Sequence, residues 1–131
     1  EHQVNAVPIL KKTKLEVIAT GYILIDGGNE TAVAKVSQTK PLDVRNSDYI
    51  AQTAQAGELL GNKLIYLEAG SGALNPISSE IIQKVSHSIQ IPLLVGGGIS
   101  HQKEIQEAFD SGATMVVIGT AFENNLNFFN E

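Results

Sequence analysis

The chain has 131 residues, a formal net charge of −5 and no cysteine. Its length is enough for one domain with a modest core, and its acidic balance without a basic run argues against nucleic acid or an anionic membrane surface as a partner, since both attract clustered Lys and Arg. Thiolate chemistry and disulfides are excluded, no apolar run approaches the ~20 residues of a membrane span, and no signal peptide is visible, so a cytoplasmic protein is expected.

The first predicted element is a helix. Residues 2–13 are rich in apolar side chains and lead into Lys11, Lys12 and Lys14, and cations favour the C-terminal end of a helix. Pro8 lacks the N–H that a helix interior uses, so the helix is expected either to start near Pro8 or to be kinked there. The three lysines are interpreted as a solvated helix end.

A strand and a long connection follow this helix. Residues 17–19 and 21–26 are β-rich and apolar on both faces, as is typical of a buried parallel strand. Residues 29–46 are polar with little periodicity, which predicts a connecting loop with a short helix at 30–36.

The middle of the chain predicts a helix, a strand and a second helix. Ser47 is the expected N-cap of the first helix, and Gly61 is expected to end it. Residues 63–68 form the predicted strand. Asn75 and Pro76 then suit the cap and first turn of the next helix. Its apolar face is expected to contain Ile77, Ile81, Ile82, Val85 and Ile89.

The last third repeats the alternation. Residues 91–95 are a short apolar strand, and Ser100 is the expected cap of a helix at 101–111. This helix is expected to turn Ile105, Ala108 and Phe109 inward. A strand at 113–118 and a terminal helix at 124–129 complete the predicted elements.

Four strands alternating with helices predict an α/β fold with a parallel sheet and right-handed crossovers, and ligands of such folds bind at the carboxyl ends of the strands. Glycine-rich segments at residues 70–72, 96–98 and 119–120 fall at three of these ends. The last two match the phosphate site that TIM (β/α)₈ barrels build after strands 7 and 8. Because such a barrel needs about 250 residues, residues 1–131 are expected to be its C-terminal half, with strands 5–8.

These strand ends have the chemistry of a small-phosphate site. Glycine lets the backbone approach a phosphate closely and offer its N–H groups, and Ser71 adds a hydroxyl. Glu68 can accept a hydrogen bond from a substrate hydroxyl and act as its base. Tyr66, two residues earlier, is expected on the same side of the strand.

Several stretches carry a resemblance to a known family. They are Tyr66-Leu67-Glu68-Ala69-Gly70-Ser71-Gly72, Val95-Gly96-Gly97-Gly98-Ile99, Ile118-Gly119-Thr120-Ala121 and Gly21-Tyr22-Ile23-Leu24-Ile25. Over essentially its whole length the chain resembles the geranylgeranylglyceryl phosphate synthase family of prenyltransferases. The first stretch is specific, whereas the two later glycine turns recur across phosphate-binding barrels.

The resemblance implies a TIM barrel that transfers a polyprenyl group, geranylgeranyl by the family name, from its diphosphate to the C3 hydroxyl of sn-glycerol 1-phosphate in ether-lipid synthesis. It implies Glu68 and Tyr66 as catalytic residues. It places glycerol phosphate on Tyr66, Leu67, Glu68, Ala69, Gly70, Ser71, Gly72, Gly97, Gly98, Gly119 and Thr120. It also implies Mg²⁺, with a metal-binding Asp on the first barrel strand and so outside this chain, and a homo-oligomer or a pairing with the other half-barrel.

Simpler interpretations stay open for most of these residues. The glycine turns can be tight turns without a ligand, Glu68 can form a structural ion pair, and Tyr66 can be a packing residue. Asp26 is expected to cap a loop, and the three histidines are expected to be structural or solvated. The aromatic residues Phe122, Phe128 and Phe129 are expected to be core or subunit contacts rather than a prenyl groove.

Two other functions compete with prenyl transfer. A different phosphate-handling barrel enzyme, such as an isomerase or synthase of the histidine, tryptophan or thiamine pathways, would share the two later glycine turns but not residues 66–72. A non-catalytic half-barrel that binds phosphate would explain the missing strands. Turnover by the isolated chain would exclude this second alternative.

Overall fold

Four short strands, each leading into a helical segment, form the framework of the computed structural model, which describes residues 2–29, 34–35 and 39–130. In chain order the elements are α1 (His2–Leu10), β1 (Thr20–Leu24), α2 (Ser47–Leu59), β2 (Leu64–Glu68), α3 (Ser79–Ser88), β3 (Leu93–Gly96), α4 (Gln102–Asp110), β4 (Met115–Val117) and α5 (Thr120–Asn124), followed by a 3₁₀ turn at Phe128–Asn130. In the described part of the chain no helix has the length and apolar character needed to cross a bilayer.

The four strands form one parallel sheet in the order β1-β2-β3-β4, which confirms the predicted alternation. Their register brings Glu68, at the end of β2, opposite Leu24 on one side and Gly96 on the other. Gly96 in turn pairs with Val117 of β4. The carboxyl ends of all four strands therefore lie at one edge of the sheet.

One face of this sheet is buried and the other is open. The buried face contributes Ile23, Ile65, Leu67, Leu93 and Val95, which pack with apolar side chains of α2, α3 and α4 into one core. On the opposite face Tyr22, Met115 and Val117 are more than two-fifths exposed, although Leu24 and Glu68 are buried there. The predicted burial of the first strand on both faces therefore holds at Leu24 but is wrong at Tyr22, because the described helices pack against the other face.

Helix starts differ from the predicted ones where a neighbouring polar side chain is better placed. Asn46, not Ser47, caps α2, since its Oδ1 accepts from the Tyr49 N–H at 3.3 Å. Helix α3 begins later than predicted because Gly27 holds the preceding segment in a turn: its carbonyl accepts the N–H groups of Leu74 and Asn75. The cap of α3 is instead Ser78.

The last two helices also differ from the prediction. His101, not Ser100, is the N-cap of α4, and the Ser100 N–H and hydroxyl bind Glu104 at 2.7 and 3.3 Å. Phe109 is 44% exposed rather than inward-facing, whereas Ala108 is buried as expected. The predicted terminal helix at 124–129 is split between α5 and the 3₁₀ turn.

The remaining predicted boundaries are mixed. Helix α1 runs from His2 through Pro8, so a start at Pro8 is wrong. Gly61 and Gly112 follow α2 and α4 with φ of +94° and +106°, as expected for the residue that ends a helix. The predicted short helix at 30–36 lies mostly outside the described residues.

Two leucines give a matched test of this arrangement. Leu67 is 0% exposed and Leu59 is 88% exposed. We expect Leu67→Ala to lower the free energy of unfolding by about 2–5 kcal/mol, because a buried Leu→Ala change leaves a cavity, and Leu59→Ala to change it by less than about 0.5 kcal/mol. Urea unfolding of both variants measures this. Equal losses would contradict the assignment of the buried face.

Candidate functional site

A cavity of about 380 Å³ lies at the carboxyl ends of β2, β3 and β4. This is where ligands of parallel α/β folds bind. Its lining comes from three strand ends and the turns that follow them: Tyr66, Glu68, Ser71, Gly72, Ala73, Gly97, Gly98, Ile99, Ser100, Val117, Ile118, Gly119, Thr120, Ala121 and Asn124. The three glycine-rich segments thus converge on one site, as their spacing along the chain predicted.

Glu68 is the carboxylate of this cavity, and its side chain is held in place by its own loop. It ends β2 and is only 8% exposed. Its Oε1 accepts the Gly70 N–H at 2.8 Å. The intervening Ala69 donates its N–H to the Gly96 carbonyl at 2.9 Å, which continues the pairing of β2 with β3. The carboxylate is therefore anchored to the strand end before any ligand arrives, and no basic residue pairs with it among those described.

Tyr66 lies on the same side of β2 as Glu68, and a second tyrosine packs against it. The rings of Tyr22 and Tyr66 meet edge-to-face with centroids 5.2 Å apart. Burial, followed by the neighbouring Glu68 carboxylate, raises the pKa of Tyr66 well above its usual range. The same two causes raise the pKa of Tyr22 to about 12. Both phenols are therefore protonated near neutral pH and cannot act as bases.

Glycine is required where the β3 turn approaches the β2 turn. Gly97 has φ of +85°, and a β-carbon there would lie 2.7 Å from Glu68 Oε1 and 2.6 Å from the Gly70 nitrogen. Gly98 has φ of +73°, and a β-carbon there would lie only 2.6 Å from the Asn75 carbonyl oxygen. A larger residue at position 97 would displace the backbone that holds Glu68, and one at position 98 would collide with Asn75 and Pro76. These glycines therefore do more than form a tight turn.

The same cavity also offers neutral hydrogen-bond donors. The hydroxyls of Ser71 and Thr120 lie 3.3 Å apart and join the turns after β2 and β4. Within the part of the chain that the structure describes, the N–H groups of Gly98 and Gly119 have no acceptor. The lining contains neither Lys nor Arg. Uncharged donors that converge in this way form a concave site for a small anion.

The structure separates the predicted binding residues into two groups. Tyr66, Glu68, Ser71, Gly72, Gly97, Gly98, Gly119 and Thr120 line the cavity. Leu67 and Ala69 do not, since their side chains point into the core, and the Gly70 N–H is used by Glu68. Strand alternation explains this, because residues 67 and 69 face away from residues 66 and 68.

Sequence reasoning missed several lining residues. They include Ile99, Ser100, Val117, Ala121 and Asn124. Ser100 was interpreted only as a helix cap and Asn124 only as the start of a helix, although each follows a glycine-rich strand end. Their position just after a strand end could have identified them, because residues just after the carboxyl end of a parallel strand line the ligand site of such folds.

Several residues expected to lie outside the site have local structural contacts, although Phe122 and Phe129 are exposed rather than in the core. Asp26 Oδ1 accepts the Gly28 N–H at 2.9 Å and so caps its loop. His87 Nδ1 contacts the Gln83 carbonyl on its own helix. Phe128 is buried and packs edge-to-face with Phe129. In the described ranges no three His, Asp or Glu side chains are placed to hold a metal ion.

Residues 1–130 match the model of the PcrB family. The chain is 61% identical over 129 residues to a geranylgeranylglyceryl phosphate synthase of Flavobacterium johnsoniae, and the match covers 98% of this chain and 53% of that protein. Its fold matches (S)-3-O-geranylgeranylglyceryl phosphate synthase from Thermoplasma acidophilum, solved in complex with sn-glycerol-1-phosphate, with a TM-score of 0.91 at 30% identity, covering 98% of this chain and 51% of that one. A wild-type GGGPS from Thermoplasma volcanium gives a TM-score of 0.88 at 33% identity, with the same coverage. The chain thus spans about half the length of the relatives it matches.

Two glycines of the cavity give a matched test of its geometry. A β-carbon added to Gly119 would meet no atom within 4 Å, unlike one added to Gly97. We expect Gly97→Ala to cost about 1–3 kcal/mol of unfolding free energy, because it combines a strained backbone with a steric clash, and Gly119→Ala to cost less, because its unusual backbone (φ −115°, ψ −87°) is not accompanied by a clash. Thermal and urea unfolding measure both. An equal cost would argue against the packing of the β3 turn on Glu68.

Proposed function

The chain belongs to the PcrB family, and we propose that the protein joins a polyprenyl diphosphate to the C3 hydroxyl of sn-glycerol 1-phosphate and releases diphosphate. The observation that carries this proposal is one cavity lined by both an anchored carboxylate, Glu68, and neutral hydrogen-bond donors. A small phosphate ester that carries hydroxyl groups is complementary to both kinds of group. The glycerol phosphate bound to the Thermoplasma acidophilum neighbour supports this choice of substrate.

In this cavity the phosphate would accept hydrogen bonds from the hydroxyls of Ser71 and Thr120 and from the N–H groups of Gly98 and Gly119. Each of these groups lines the cavity. Backbone and hydroxyl donors fix both the position and the orientation of a phosphate. The glycerol would then extend toward Glu68, at the end of β2.

Glu68 would accept a hydrogen bond from the C3 hydroxyl. As the C3 oxygen bonds to the first carbon of the prenyl chain, the bond from that carbon to the diphosphate oxygen breaks and diphosphate leaves with the electron pair. The hydroxyl proton passes to Glu68. The protonated Tyr66 would hold the carboxylate or the glycerol by donating a hydrogen bond.

The described residues do not fit a magnesium site. Glu68 is the carboxylate of the cavity, its Oε1 is occupied by the Gly70 N–H, and the other polar lining groups are hydroxyls, an amide and backbone. Mg²⁺ prefers several oxygen ligands that include carboxylates. The Mg²⁺ that the family resemblance implies would therefore need ligands beyond these residues, and no step above depends on it.

We also propose that residues 1–131 supply strands 5–8 of a (β/α)₈ barrel. Two observations support this. The chain spans about half the length of its relatives, and one face of its sheet, with Tyr22, Met115 and Val117, is open. In a closed barrel that face would point inward and be filled by side chains from all the strands.

The substitution Glu68→Gln tests the chemistry. It keeps the size of the side chain but removes the base, so we expect prenyl transfer to fall by about 10²–10⁴-fold while glycerol phosphate binding, measured by calorimetry, stays within about threefold. Glu80→Gln, at the start of α3 and away from the cavity, is the control. Full activity of Glu68→Gln would sink the proposed role of Glu68. A wild-type protein that binds glycerol phosphate without transfer would favour a binding module.

The open sheet face gives a prediction for residues 1–131 produced alone. Exposed apolar area of this kind favours association, so the isolated chain is expected to dimerise or aggregate and to bind a hydrophobic dye, and the full-length protein is expected to bind much less dye. Sedimentation and dye fluorescence measure this. A dye-free monomer of the isolated chain would contradict the half-barrel proposal.

A further inference from the structure

The ring of Tyr66 is enclosed by residues of the two neighbouring strands. On the β1 side, Tyr22 is its register partner, and the two rings meet at 81° with centroids 5.2 Å apart. On the β3 side, a β-carbon on Gly96 would lie 2.5 Å from the Tyr66 hydroxyl and 3.1 Å from Cε2. The phenol therefore lies over the Gly96 backbone, with Tyr22 packed against it from the other side.

Glycine at position 96 is explained by space rather than by backbone conformation. Gly96 is a strand residue, and it is absent from the glycines with positive φ, which include its neighbours Gly97 and Gly98. Glycine in a strand weakens it and often marks a close approach by another group. Here that group is the Tyr66 hydroxyl. Neither Gly96 nor Tyr22 lines the cavity, but both lie against Tyr66, which does.

The position that this packing gives to Tyr66 matters for Glu68. Gly96 is the register partner of Glu68, so a phenol lying over Gly96 has its hydroxyl beside the carboxylate. Interaction with Glu68 is, after burial, the next cause of the raised pKa of Tyr66. The carboxylate is thus held on one side by the Gly70 N–H, and the Tyr66 phenol, confined by Tyr22 and Gly96, lies on the other side.

We propose that Tyr22 and Gly96 are positioning residues for the transfer reaction: together they hold the Tyr66 phenol so that its hydroxyl stays beside Glu68 and orients the carboxylate toward the acceptor hydroxyl. The catalytic consequence rests on the proposed function. The packing itself is independent of that function and can be measured separately.

The first experiment compares two substitutions at Tyr22 in the full-length protein. Tyr22→Phe keeps the ring and is expected to retain most of kcat. Tyr22→Leu removes the ring, so kcat is expected to fall about 10- to 100-fold, since small misplacements of a reacting group are costly, while KM for glycerol phosphate stays within about threefold. Tyr49→Leu, at an exposed tyrosine of α2, controls for a general tyrosine effect. Equal loss in the Phe and Leu variants, or no loss in either, overturns the proposal.

The second experiment is a double-mutant cycle between Gly96 and Tyr66. Gly96→Ala alone is expected to lower kcat at least tenfold, because the new methyl group displaces the phenol. Tyr66→Phe removes the hydroxyl that would lie 2.5 Å from the new β-carbon at position 96. In that background the further loss of kcat from Gly96→Ala is therefore expected to be about threefold or less. Losses that simply multiply would show that Gly96 does not act through the Tyr66 hydroxyl.

A readout without turnover separates this proposal from the proposed function. NMR spectra of protein with labelled tyrosines report how fast the Tyr66 ring flips. The Tyr66 resonance is assigned as the one that disappears in the Tyr66→Phe variant. We expect slow flipping in the wild type and in Tyr22→Phe, faster flipping in Tyr22→Leu, and a shifted resonance in Gly96→Ala. A wild type that lacks transfer activity but shows this pattern refutes the proposed reaction alone. A Tyr66 ring that is equally mobile in all variants refutes the positioning role.

Discussion

The close approach of the β2 and β3 strand ends is the constraint on which the site depends. Glu68 is buried at the end of β2, and its side chain folds back onto the Gly70 N–H. That geometry exists only because Gly97, in the adjacent turn, has no side chain to occupy the same volume. The register of the two strands, which pairs Glu68 with Gly96, sets this distance. A buried carboxylate needs such donors, because an unpaired one would be costly to desolvate.

The two faces of the sheet have different roles: one forms the core and the other carries residues of the cavity. The face with Leu67 and Val95 forms the core with the helices, and its burial fixes the register, since a slip of one residue would turn these side chains to solvent. The same register presents Tyr22, Tyr66 and Glu68 on the opposite face. The hydrophobic core on one face of the sheet therefore fixes the positions of Tyr66 and Glu68 on the other face.

Strand order and the convergence of the glycine turns were predictable from sequence because both follow from short-range patterns. Alternating apolar runs and helix signals predict a parallel sheet, and the carboxyl ends of its strands must share one edge. Helix starts were less predictable. Asn46 rather than Ser47 caps α2, and the segment before α3 is held by the Gly27 carbonyl, a contact across the fold that no local pattern contains. The role of Gly96 likewise appears only once Tyr66 is seen to lie over it.

The absence of Lys and Arg from the cavity lining has a consequence for selectivity. In an acidic chain, an anion site made of hydroxyls and backbone N–H groups gains little from long-range attraction and is affected little by ionic strength. Inorganic phosphate offers only the anion. An ester whose hydroxyl also reaches Glu68 would gain a further contact. Discrimination among phosphates would thus depend on the alcohol part of the molecule rather than on its charge.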